Sequence, residues 1–161
     1  MELVENFING QYVSSESSAF IDIYEPATGD IYGQFKDSNA NDIDHAVRSA
    51  KNAFPDWSGL SVRERAVHLN NIANGIEQRL DEFAEFESRD TGKPIALARS
   101  LDIPRSVLNF KFFADHAMQF EFNFNLNSES SQNLINRSPL GVVACISPWN
   151  LPLYLFTWKI A

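Results

Sequence analysis

The residues best placed to do chemistry are Ile146-Ser147-Pro148-Trp149-Asn150, which close the apolar run Gly141-Val142-Val143-Ala144-Cys145-Ile146 and precede a helical pattern. In open α/β sheets, ligands bind outside the carboxyl ends of the strands. A side-chain amide at such a point presents two N–H donors to an oxyanion. The helix N-terminus behind it adds positive potential. Asparagine is equally a helix-capping residue, so residue chemistry alone leaves Asn150 open between a cap and an oxyanion donor. Cys145 is the only thiol, but within an apolar run a thiol behaves as a small hydrophobe. His45, His68 and His116 lie on separate helical patterns, and one cysteine cannot complete a zinc set. No Gly-x-Ser-x-Gly, Walker loop or Gly-x-Gly-x-x-Gly occurs. Asp90-Thr91-Gly92-Lys93 is too poor in glycine for a phosphate loop and reads as a turn closing a helix.

The elements that must position these residues follow from periodicity. Residues 1–36 read as β. Phe7-Ile8-Asn9-Gly10-Gln11-Tyr12-Val13 is a hairpin around Asn-Gly, Phe20 to Tyr24 alternates, Pro26 to Asp30 turns, and Ile31 to Phe35 is a further strand. Helices then take over. Asn41 is a candidate cap for a helix whose inward face carries Ile43, Ala46, Val47, Ala50 and Phe54, and Pro55 is expected to end it. Ser61-Val62-Arg63-Glu64 is a capping box opening a helix with Val62, Ala66, Leu69, Ala73, Ile76 and Leu80 inward. A short helix spans Asp81 to Arg89. A long pattern runs from about Ile95 to Phe120, where Pro104 predicts a kink or break.

The pattern changes at Glu121. Phe122, Phe124 and Leu126 alternate, Asn127 to Ser131 is a loop, and Leu134 to Arg137 returns. Such a ribbon is marginal alone and reads as an arm needing a partner surface. Residues 141–146 suit a strand buried on both faces of a parallel sheet. Pro152 opens the last helix, and the chain stops inside it at Trp158-Lys159-Ile160-Ala161, which reads as an interruption. Without neighbours the 142–146 strand would be unpaired, and poor solubility or a dynamic C-terminal third is expected.

Bulk properties narrow the partners. A net charge of −8 argues against nucleic acid and anionic membrane, which require a Lys/Arg surplus. No apolar run approaches the ~18 residues of a membrane span, and the N-terminus lacks the pattern of a secretory signal. The single cysteine fits a reducing compartment, so a cytoplasmic location is expected.

Pro139-Leu140-Gly141-Val142-Val143 followed by Ile146-Ser147-Pro148-Trp149-Asn150-Leu151-Pro152 resembles the signature of the NAD(P)-dependent aldehyde dehydrogenases. Phe7 to Gly10, Pro26 to Gly29, Ala50 to Trp57, Arg63 to Arg65 and Asp90 to Pro94 match that family in order. Ala96 to Arg99, Asp102 to Ala114 and Leu151 to Ala161 are similar to the 2-aminomuconic and 2-hydroxymuconic semialdehyde dehydrogenase branch.

The resemblance implies an α/β fold: the N-terminal part of the aldehyde dehydrogenase fold, cut short. It divides into residues 1–120 of the cofactor-binding domain, an oligomerisation arm at 121–139 serving a homo-oligomer, and at 140–161 the first strand and helix start of a Rossmann-like core. It further implies oxidation of a small-molecule aldehyde to its acid with NAD or NADP. Asn150 would hold the oxyanion. Ile146, Ser147 and Trp149 would contact the cofactor, mostly through backbone. Trp158, Leu151 and Leu155 would line the substrate tunnel. The family's nucleophilic cysteine and general-base glutamate have no match in these 161 residues, and Cys145 does not align with the nucleophile. The chain alone is therefore expected to be inactive. An alternative role is a non-catalytic fragment that associates with full-length subunits.

Overall fold

A computed structural model describes residues 2–161. The Asn9-Gly10 pair makes the expected hairpin between β2 (Asn6–Ile8) and β3 (Gln11–Val13). Asn9 and Gly10 both take positive φ, 54° and 76°, as a two-residue turn matching the twist of a hairpin requires. Strands β4 (Phe20–Tyr24) and β5 (Ile31–Lys36) pair antiparallel across the Pro26–Asp30 turn. A strand not singled out within the expected β region, β1 (Glu2–Val4), adds to β5 in parallel, giving the order β1-β5-β4. Three exposed residues carry no alternation, so only the distant partner defines β1 as a strand.

Helix α1 (Ala40–Gly59) starts two residues earlier than the sequence suggests, and its cap is Asn39, not Asn41. The Asn39 side chain accepts from Asn41 and Asp42 backbone N–H groups, and Asp42 accepts from the Asn39 N–H in return. Asp42 is also buried under the Ser15 hydroxyl, which donates at 2.6 Å. Pro55 does not end α1. It lies inside the helix, where the last turn loses one donor and continues to Gly59. The predicted inward face is only partly inward: Ala46, Val47 and Phe54 are half-buried, while Ile43 and Ala50 are exposed.

Helix α2 (Val62–Gln78) has the expected capping box at Ser61 and Glu64. Its Ala66, Ala73 and Ile76 are buried on the predicted face. Helix α3 (Leu80–Thr91) ends at Gly92, whose φ of 73° is left-handed. A side chain there would also meet Pro26 Cβ at 3.0 Å, so this turn requires glycine. After α4 (Ile95–Leu97), residues Ala98–Asp102 form a π turn that leads without interruption into α5 (Ile103–Gln119). The kink expected at Pro104 is thus realised as a widened turn. Its looser bonding accommodates the missing N–H and the ring's clash with the preceding carbonyls. The core forms where α2, α3, the π turn and α5 converge: Ala73, Ile76, Ala84, Ala98, Ile103, Val107 and Phe110 are buried together.

Strands β6 (Phe124–Asn127) and β7 (Gln132–Ile135) form the expected ribbon, with Leu126 and Leu134 exposed. Arg137 braces its base by lying over the Phe120 and Phe124 rings. The strand expected at 141–146 is not formed. Leu140, Val143 and Ile146 are 95%, 61% and 83% exposed. An apolar run makes a strand only beside other strands, and none lies next to it here. Cys145 is accordingly half-buried rather than enclosed, with its thiol directed at the Lys159 carbonyl, 3.7 Å away. The final helix, α6 (Pro152–Ile160), packs on α5.

The sheet is tied to α3 by Tyr32, whose hydroxyl donates to Asp90 at 2.8 Å, with the Arg89 guanidinium 4.1 Å from the ring centre. Burial, then the Asp90 hydrogen bond and charge, push the Tyr32 phenol up to about 12. This value exceeds the unfolded one near 10. The Tyr32 contribution to stability is therefore complete below pH 10 and is lost as pH rises towards 12. Tyr32→Phe should be less stable than the parent below pH 10, and the gap should narrow between pH 10 and 12. Denaturant midpoints against pH check this, and parallel profiles would count against it.

Candidate functional site

Trp149 and Asn150 occupy an exposed turn directly ahead of α6. The cap of α6 is Leu151, with no side-chain cap hydrogen bond. The capping reading of Asn150 is therefore overturned. Asn150 is exposed, and among the described residues no hydrogen bond uses its amide. Leu155 N–H closes the first turn of α6 on the Leu151 carbonyl at 2.9 Å. The earlier amide groups of that turn stay uncapped and contribute the positive end of the helix dipole.

The other sequence-predicted residues gather around this turn unevenly. Ile146 and Trp149 are 83% and 87% exposed. Ser147 is half-buried at the edge of a cavity of about 530 Å³ whose wall includes Phe83, Phe86, Pro152, Leu153 and Phe156. Leu151 and Leu155 are half-buried, and Trp158 is exposed with its ring edge-on to Tyr154 at 6.1 Å. Leu155 and Trp158 are three residues apart and share one side of α6. Leu153 and Thr157 face the core side. The structure thus places Asn150 and Leu151 at the N-terminal end of α6 and aligns Leu151, Leu155 and Trp158 along one side of it, while Ile146 stands apart on unpaired chain.

Two constellations escaped the sequence reading. Asn109 of α5 donates to the Tyr154 carbonyl (3.1 Å) and to the Thr157 hydroxyl (2.8 Å). No local signal marks a contact across more than forty residues of chain. The second is a buried ion cluster. Lys93 Nζ lies 2.7 Å from Asp102 and 3.1 Å from Glu87, and the two carboxylate side chains are only 2% and 4% exposed. Burial pushes the Lys93 ammonium down, but Asp102 and Glu87 outweigh it and the net shift is upward. Lys93 read from sequence only as part of a turn. The turn is real, and its lysine is the counter-charge for two helices.

Comparison with known proteins identifies the family. The aldehyde dehydrogenase family matches residues 12–161, and the chain belongs to that family. It is 46% identical over 160 residues to human 2-aminomuconic semialdehyde dehydrogenase, covering 99% of this chain and 32% of the relative. It is 41% identical over 165 residues to 2-hydroxymuconic semialdehyde dehydrogenase of Pseudomonas sp. (strain CF600), covering 99% of this chain and 34% of that protein. Its backbone superimposes on the crystal structure of PnpE in complex with nicotinamide adenine dinucleotide with a TM-score of 0.89. There the identity is 37%, covering 97% of this chain and 32% of the other. A putative aldehyde dehydrogenase from Burkholderia cenocepacia gives a TM-score of 0.90 at 35% identity, covering 98% of this chain and 32% of the other. The chain spans about a third of the length of the relatives it matches. Among the described residues no helix is long and apolar enough to cross a membrane.

Proposed function

We propose that these 161 residues supply the oxyanion-binding part of a nicotinamide-dependent enzyme that oxidises a muconic-type semialdehyde to its acid. The observation carrying this reading is the free Asn150 amide on a turn that leads into an uncapped helix N-terminus. The names and identities of the relatives support the substrate class. Asn150 receives the negative oxygen that develops when a nucleophile adds to the aldehyde carbon, and the α6 dipole lowers the energy of that charge. Leu151, Leu155 and Trp158 give the aldehyde an apolar approach that excludes water from one side.

The residues present fit one edge of a dinucleotide. The main chain at Ile146 and Ser147 has no intramolecular hydrogen-bond partner among the described residues, and the Trp149 ring is open. A phosphate cradle is not part of this donor set. When bound, the nicotinamide supplies the acceptor for the hydride. Ile146, Ser147 and Trp149 hold that edge in place, mostly through backbone, with NAD the expected form and NADP the alternative. Cys145 faces the Lys159 carbonyl and takes no part. The nucleophile and the general base come from outside these residues, so the chain by itself turns nothing over. The exposed ribbon serves homo-oligomer assembly, in a cytoplasmic protein. Its exposed Leu126 and Leu134 also favour a second reading, in which the chain joins full-length subunits without catalysing.

The test is a chimera in which these residues replace the matching third of human 2-aminomuconic semialdehyde dehydrogenase. The folded chimera should reduce NAD with a semialdehyde, and the 161-residue chain alone should not. Turnover by the isolated chain, or a folded but inert chimera, would overturn the assignment.

A further inference from the structure

Residues 138–150 join no strand ladder, so the Asn150 turn is attached to the folded body chiefly through α6. Apolar contacts hold that helix in part, since Leu153 and Ala161 pack against the core. Such contacts are non-directional and by themselves permit rotation about the helix axis or a slip along it. A slip of one residue turns a helix by about 100° and would re-aim Leu155, Trp158 and the turn ahead of them.

What fixes rotation is the polar triangle between α5 and α6. The Asn109 amide uses its two hydrogens on two acceptors, the Tyr154 carbonyl at 3.1 Å and the Thr157 hydroxyl at 2.8 Å. The Thr157 hydroxyl donates to the same carbonyl at 2.8 Å. Thr157 is 1% exposed, so water has little access to its hydroxyl, and removing its partner leaves a buried group short of a hydrogen bond. The Arg105 guanidinium lies 5.5 Å from the Tyr154 ring centre and adds to the grip on the same turn of α6.

We propose that Asn109 is a positioning residue. By holding Tyr154 and Thr157 it sets the rotation of α6 on α5, and thereby the direction in which the turn presents Asn150. This rests on the reading of Asn150 as oxyanion donor, but the anchoring itself is measurable without turnover.

The experiment has two arms. In the 161-residue chain, amide exchange of α6 is compared between the parent and Asn109→Leu, which keeps the branched shape and removes both donors. Exchange through α6 should accelerate roughly tenfold, the loss expected for a buried hydrogen bond of ordinary strength, while α2 and the first half of α5 stay protected. If Asn109→Leu does not fold, Thr157→Val, which removes the hydroxyl that accepts from Asn109 and donates to the Tyr154 carbonyl but leaves the Asn109–Tyr154 bond, decides the same question. In the chimera, Asn109→Leu should lower kcat about tenfold with KM within about twofold, and Thr157→Ser, which keeps the hydroxyl, should restore parent-like kcat where Thr157→Val does not. Unchanged α6 exchange would overturn the anchor. Loosened α6 with unchanged kcat would overturn the positioning role. A parent chimera without activity would instead strike at the proposed function and leave the exchange result standing.

Discussion

Asn150→Ala in the chimera with the human relative should lower kcat by roughly 10²–10³, the loss seen when one donor to a developing oxyanion is removed. KM should change far less, because the donor acts on charge that exists only after addition to the carbonyl. The substitution should leave the fold alone. The side chain is exposed, and among the described residues it takes part in no hydrogen bond. A surface replacement of that kind is worth within about 0.5 kcal/mol. This pairing checks in solution that Asn150 acts on the oxyanion and not on the helix. A capping residue would lose about 1 kcal/mol of stability on truncation with little effect on kcat, whereas an oxyanion donor loses turnover with stability intact. Steady-state kinetics and a thermal melt on the same sample settle it. A kcat within about threefold of the parent would sink the oxyanion role.

Lys93→Met should be the most damaging single change to stability, about 3–5 kcal/mol. Lys93 reaches from the turn after α3 to Glu87 on α3 and to Asp102 in the π turn, with its own side chain 12% exposed. Removing it leaves two carboxylates out of water, close together and without a counter-charge. Net stabilities of small domains are about 5–15 kcal/mol, so the loss takes a large share of the total. The cause predicts a partial rescue. Adding Glu87→Gln and Asp102→Asn removes both stranded charges and should recover much of the loss, although the new amides still need partners. Urea unfolding of the single and triple variants is the measurement. A loss under about 1 kcal/mol for Lys93→Met would mean that the cluster is better hydrated than its burial implies.

Local chemistry made several elements legible in advance. The Asn9-Gly10 hairpin, the Ser61–Glu64 capping box, the Gly92 helix stop and the β6–β7 ribbon each depend on residues a few positions apart. Where the reading failed, a competing local partner or a distant one decided. Asn39 displaced Asn41 as the α1 cap because Asp42 answers it three residues on. Pro55 sits within the last turn of α1, where one missing donor is tolerated. Pro104 produced a π turn because the helix could widen rather than break.

The sequence by itself determined the family, the Pro148-Trp149-Asn150 turn and the start of the last helix at Pro152, because motifs and capping signals are properties of neighbouring residues. Only the tertiary structure decided that Leu151 rather than Asn150 caps α6, that 141–146 forms no strand, and that Asn109 bonds to Tyr154 and Thr157 and Lys93 to Glu87 and Asp102. A strand needs a second backbone beside it, and a buried amide or ammonium needs acceptors brought from elsewhere in the chain. The identity of such partners is set by how the helices pack, which no short stretch of sequence records.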